Sequence, residues 1–95
     1  MNRFSGNGLY ILDEPEAALS PSRQMAMVSR IHELVEKESQ FIISTHSPII
    51  MAYPDSFIYE IREGITRTEY DKTETYQVMK AFLNNTNKML DILMK

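Results

Sequence analysis

The chain has 95 residues, no cysteine, 43% hydrophobic residues and a formal net charge of -3. That length holds one small domain at most, and the apolar share suffices for a core. The missing cysteines exclude disulfides and thiolate metal sites, and the mild acidity gives no electrostatic basis for broad binding to nucleic acid or anionic membranes.

No apolar run approaches the roughly 18 residues that a membrane-spanning helix needs. Residues 1–7 lack the apolar centre of a signal peptide. A cytoplasmic location is the expectation. Residues 1–8 read as a loop, because Asn2, Ser5, Gly6, Asn7 and Gly8 are turn formers. A first strand is predicted over residues 9–12. Its four consecutive apolar residues ask for cover on both faces, the pattern of a central parallel strand.

Asp13 and Glu14 follow directly, and Pro15 ends the strand. Ser20 and Pro21 then supply an N-cap and a first helical residue. A helix is predicted over 21–37, with Met25, Val28, Ile31, Leu34 and Val35 as its apolar stripe. His32 falls beside that stripe and reads as a rim residue, since no second ligand stands at metal spacing. After a short connection at 38–40, a second strand is predicted over 41–44. Strand, helix and strand within about 35 residues make a βαβ unit, with a right-handed crossover expected.

Ser44, Thr45 and His46 leave the second strand, and Ser47-Pro48 is suited to open a short helix through Met51. Pro54 and Asp55 signal a turn. Residues 56–61 and 65–70 are rich in β-formers around a turn at 62–64, which predicts an antiparallel hairpin. Asp71 or Thr73 can cap the next helix, with Glu74 three residues after Asp71 as in a capping box. Val78, Met79, Phe82 and Leu83 form its stripe. Residues 84–87 break it, and a last helix carries Met89, Leu90, Leu93 and Met94. The fold class expected is α/β: a parallel βαβ unit, a β-hairpin and two C-terminal helices.

Asp13 and Glu14 stand where open α/β sheets bind ligands, at the carboxyl end of a strand. Such a pair can hold Mg2+ with one carboxylate, directly or through water, and orient a water with the other. The plain alternative is two solvated acids at a strand end. His46 leaves the second strand and faces the same crevice; its plain alternative is a loop histidine bonded to local backbone.

The stretch Leu9-Tyr10-Ile11-Leu12-Asp13-Glu14-Pro15 resembles the Walker B strand of ABC-type P-loop ATPases, most closely the soluble AAA-like ATPases related to SMC and OLD proteins. Glu16-Ala17-Ala18-Leu19-Ser20 resembles the D-loop that follows it, and Phe41-Ile42-Ile43-Ser44-Thr45-His46-Ser47-Pro48 resembles the H-loop. The two main motifs stand in the family's order with one helix between them. The resemblance runs from about Gly8 to the end and implies a partial P-loop fold. It implies that Asp13 holds Mg2+, that Glu14 positions water for attack on the γ-phosphate of ATP, and that His46 senses that phosphate. It also implies that Ser20 lies near nucleotide at a dimer interface.

The three glycines are Gly6, Gly8 and Gly64, and none precedes a lysine, so no glycine-rich phosphate loop with its lysine is present. The expectation is therefore the C-terminal part of an ATP-hydrolysing domain, inactive alone, whose partner is the missing N-terminal half or a second copy. Nucleic acid is an expected partner only of a longer protein. A second reading is a non-catalytic interaction module that binds a protein through its hairpin and C-terminal helices. A third is an independent metal-dependent hydrolase using Asp13, Glu14, Glu16 and His46, which no helical ligand spacing supports.

Overall fold

The computed structural model describes residues 8–95, so all of the predicted N-terminal loop but Gly8 lies outside the described residues. The chain divides into two compact units, Met1–Pro54 and Asp55–Lys95. Both carry the α/β elements expected of them, and each is described by itself.

In the first unit, β1 (Leu9–Asp13) and β2 (Gln40–Ser44) flank the helix α1 (Pro21–Glu36). The strands pair in parallel, from Leu9 opposite Gln40 to Asp13 opposite Ser44, which gives the βαβ unit. A 3-10 turn, Pro15–Ala18, fills the space between β1 and α1. Alternation along the strands decides the burial. Tyr10 is 7% exposed, Leu12, Phe41 and Ile43 are half-buried, and the Tyr10 and Phe41 rings stack at 4.8 Å. The opposite face is bare: Leu9, Ile11 and Ile42 are exposed, Ile11 at 72%. One of the two sheet faces thus has the cover that the apolar runs ask for.

α1 starts where the sequence predicts, with the Ser20 hydroxyl accepting from the Arg23 amide at 3.3 Å and Pro21 leading the helix. It packs on β2 and on a second 3-10 turn, Ile50–Ala52, with Ile31, Leu34 and Ile50 buried. Burying such a side chain fully contributes about 1.5–3 kcal/mol. The stripe differs from expectation at one position: Met25 is 59% exposed, and Met27 is half-buried in its place. Met25 precedes Leu34 by nine residues, about two and a half turns at 3.6 residues per turn, so it points away from the best-buried position. The helix ends in a Schellman motif. Glu38 adopts a left-handed φ of 67°, its amide donates to the Val35 carbonyl at 2.9 Å, and the Ser39 amide donates to the Leu34 carbonyl at 2.9 Å.

In the second unit, β3 (Ile58–Ile61) and β4 (Ile65–Thr68) form the expected antiparallel hairpin, with Ile61 opposite Ile65. A 3-10 turn, Tyr70–Lys72, leads to α2 (Glu74–Asn84) and α3 (Thr86–Leu93). Asp71 lies in that turn, so the Asp71–Glu74 capping box does not form. Thr73 takes the cap, its hydroxyl accepting from the Tyr76 amide at 3.1 Å. Glu60 of β3 accepts from the Glu74 amide at 2.7 Å and so satisfies another free donor of the first turn. Phe82 and Met89 are half-buried, while Val78, Met79, Leu83, Leu93 and Met94 remain exposed. Among the described residues, no helix is long and apolar enough to cross a membrane.

Candidate functional site

The parallel register carries the site. Because Asp13 lies opposite Ser44, the loops after β1 and β2 leave from the same carboxyl end of the sheet. The Glu14 amide adds one more bond to the ladder, donating to the Ser44 carbonyl at 2.6 Å. Glu14 itself sits at φ 45°, ψ 57°, in the left-handed region, and Pro15 follows as the first residue of the 3-10 turn. A non-glycine residue there costs roughly 1–2 kcal/mol, and such conformations gather at functional sites. The abrupt turn leaves the Glu14 carboxylate exposed, with Oε1 3.6 Å from Nδ1 of the exposed His46. That separation forms an ion pair whenever the imidazole is protonated.

Glu16 ties the two loops together. Its Oε1 accepts from the Thr45 hydroxyl at 2.7 Å, and its Oε2 accepts from the His46 amide at 3.0 Å. Burial pushes the Glu16 carboxyl up, but hydrogen bonds from the Thr45 hydroxyl, the His46 amide and its own backbone, together with the charge of His46, hold the group below its ordinary value. The Thr45 oxygen accepts in turn from the Ser47 amide at 2.9 Å. Ser47 is buried: its hydroxyl donates to Gln24 Oε1 and accepts from the amides of Ile49 and Ile50 at 3.2 and 3.1 Å. Gln24 Nε2 reaches the Leu19 carbonyl at 3.1 Å, so α1 braces both loops. Ser47 therefore caps a turn that becomes a 3-10 helix only at Ile50–Ala52, where the sequence predicts a short helix from Ser47-Pro48 through Met51.

Asp13 ends β1 on the exposed side, in alternation with Leu9 and Ile11, and its carboxylate has no side-chain partner among the described residues. The ligand atoms of Glu14, Glu16 and His46 all lie within 4.8 Å of one another, and Asp13 is not in that group. Asp13 and Glu14 are exposed hard oxygen donors with room for water, the donor chemistry that Mg2+ takes; both Glu16 oxygens are already engaged. Ser20 serves as the N-cap of α1, its hydroxyl also 3.3 Å from that of Ser22. His32 stays exposed on α1 and shares a 2.9 Å hydrogen bond with the Tyr53 hydroxyl.

Three of the sequence-predicted residues, Asp13, Glu14 and His46, thus emerge at one end of the sheet, and two of them meet. Glu16, Thr45, Ser47 and Gln24 are the residues that sequence reasoning gave no positioning role. The only signal for Glu16 was its place two residues past Glu14, behind a proline that bends the chain back. Residues 2–51, a little over half of the chain, match the family model described as an AAA ATPase domain. The match takes in both loops, and the second unit lies outside it. No curated protein matches the chain.

Proposed function

The chain belongs to the AAA ATPase domain family, and from that membership we propose that its first unit carries the Walker B and H-loop part of an ATP-hydrolysing site. The kinship is closest to the ABC-type, SMC- and OLD-related branch, and the setting is cytoplasmic. The observation that carries the reading is the approach of Glu14 and His46 to 3.6 Å from loops that leave adjacent parallel strands at the same end.

Asp13 would hold Mg2+, which when bound offsets phosphate charge. Glu14 accepts a hydrogen bond from the attacking water and takes its proton. His46 donates to a γ-phosphate oxygen and, through its contact with Glu14, links that phosphate to the water. Ser20 lies in a D-loop that contacts nucleotide across a dimer. The glycine-rich loop and lysine that cradle phosphates come from an N-terminal ATPase half, while a second copy contributes only its D-loop across a dimer, so the 95-residue chain alone does not turn ATP over.

Isothermal titration of this chain with Mg2+-ATP, beside Asp13→Asn, tests the division of labour. No binding by a folded chain is expected, and binding that Asp13→Asn abolishes would overturn the need for a partner. In the reconstituted ATPase, Glu14→Gln should lower turnover by about 10²–10⁴-fold, the usual weight of a positioned base. Unchanged turnover would defeat the catalytic reading.

A separate observation favours the second reading. On one face of the hairpin Phe57, Tyr59, Ile61 and Ile65 are all exposed, Ile61 at 78%. An apolar strand face of this kind suits a protein partner, and retained turnover in Glu14→Gln would leave this reading standing.

A further inference from the structure

We infer that Glu16 is the positioning residue that sets His46 against Glu14, an inference that rests on the ATP-hydrolysis reading above. The His46 ring is exposed, so packing does not hold it. What directs it is the backbone from which it springs, and that backbone is fixed at its amide by Glu16 Oε2. The preceding residue is fixed as well, because Glu16 Oε1 accepts from the Thr45 hydroxyl. Two successive residues of the β2 loop are thereby anchored to one side chain of the β1 loop.

Donor and acceptor bookkeeping explains why a carboxylate stands here. The Thr45 oxygen already accepts from the Ser47 amide, so its proton is directed to Glu16. The His46 amide needs a second acceptor at the same place. An ionised carboxylate offers two acceptor oxygens, and an amide side chain offers only one. Both bonds are charge-assisted, the stronger class of hydrogen bond. Glu16 carries the loop that carries the histidine, with no need to touch substrate. Ser47 and Gln24 brace the next residue of that loop independently, so removing Glu16 leaves the turn beyond it intact.

The test uses the 95-residue chain and nuclear magnetic resonance, with Glu16→Ala, Glu16→Gln and Glu14→Gln. In Glu16→Ala the His46 amide should exchange with solvent at least about tenfold faster, while the Ile50 amide, held by Ser47, keeps its rate. Glu16→Gln, with one acceptor left, should fall between. Glu14→Gln should shift the His46 ring signals in the wild-type background and leave them unmoved in Glu16→Ala. Unchanged His46 exchange in Glu16→Ala overturns the inference. So does an Ile50 amide that loosens by the same factor, since Glu16 would then hold up the whole loop. Ring signals that answer Glu14→Gln equally in both backgrounds overturn it as well.

These signals need no nucleotide, which separates the two readings. In the reconstituted ATPase, Glu16→Ala should lower kcat about tenfold or more, with KM for ATP within about twofold. Unchanged kcat there, with Glu14→Gln still inactive, removes the positioning role. Unchanged kcat in both variants removes the ATP-hydrolysis reading instead.

Discussion

Glu14→Gly should make the protein more stable while removing the carboxylate proposed to handle water. Glu14 has φ 45° and ψ 57°, and an L-residue in that region costs roughly 1–2 kcal/mol. Glycine escapes that cost but brings extra freedom to the unfolded chain, worth about 0.5–1 kcal/mol against folding. The balance favours glycine by about 0.5–1 kcal/mol. For a unit of this size that raises Tm by roughly 2–8 °C. Glu14→Ala is the control. It keeps the strained backbone and loses the same exposed contact with His46, a kind of pair that contributes little. The glycine variant should therefore exceed the alanine variant in stability by the full backbone difference. At an ordinary strand or helix position the order is the reverse. Urea and thermal unfolding followed by far-ultraviolet circular dichroism measure both variants, and ATP turnover in the reconstituted ATPase should be lost in both. A glycine variant less stable than the alanine variant would refute the left-handed turn and with it the strain assigned to the site.

Three more outcomes follow from the same geometry. Glu38→Gly, at the left-handed C-terminal position of α1 (φ 67°), should stabilise by about 0.5–1 kcal/mol for the same reason, and it should leave the His46 signals untouched; a net loss of stability would contradict the Schellman geometry. Ser47→Ala removes a hydroxyl that serves two loop amides and Gln24, and should cost about 1–2 kcal/mol in urea unfolding; a loss under about 0.3 kcal/mol would mean that the cap is not made. The third concerns acid. Burial raises the Glu16 carboxyl, and the Thr45 hydroxyl, the His46 amide, its own backbone and the His46 charge together more than reverse that, so its folded value lies below its unfolded one. Its contribution is therefore fully present above the ordinary carboxylate range and is lost as pH falls through the folded value. The stability gap between wild type and Glu16→Gln should stay level from neutral pH down to that range and close below it. A gap that widens on acidification would be the contrary result.

The elements of the first unit were legible because their signals are local. Four apolar residues before Asp13 and three before Ser44 can only be short strands covered by something, and Ser20-Pro21 marks a helix start by cap chemistry alone. Parallel pairing then brings Asp13, Glu14 and His46 to one end without further information. Met25 was misplaced because a three-and-four spacing drifts along a helix. Beginning the stripe at Met25 puts its first member half a turn from Leu34, the side chain that decides which face is buried. Of the two caps that the sequence offers for α2, Thr73 forms and the Asp71–Glu74 box does not, for a related reason. The spacing was right, but the chain enters a 3-10 turn at Tyr70–Lys72, which hands the cap to Thr73 and lets a glutamate from β3 serve the first turn.

Glu16 was the hardest residue to read, and the reason is physical. A carboxylate that ligates metal, one that positions water and one that accepts two hydrogen bonds are the same side chain, told apart by what the fold presents to them. Glu14 and Glu16 are two residues apart across a proline. The left-handed turn at Glu14 leaves that acid exposed, and the 3-10 turn that follows carries Glu16 back to the β2 loop. The donors it meets, Thr45 and the His46 amide, lie 29 and 30 residues away in sequence. No local pattern encodes that closure. It arises only when β1 and β2 pair in register, so the division of roles between the two glutamates is a property of the sheet as much as of the motif. A one-residue slip of β2 against β1 would turn Thr45 and the His46 amide away from Glu16, and the Glu14–His46 contact would go with them.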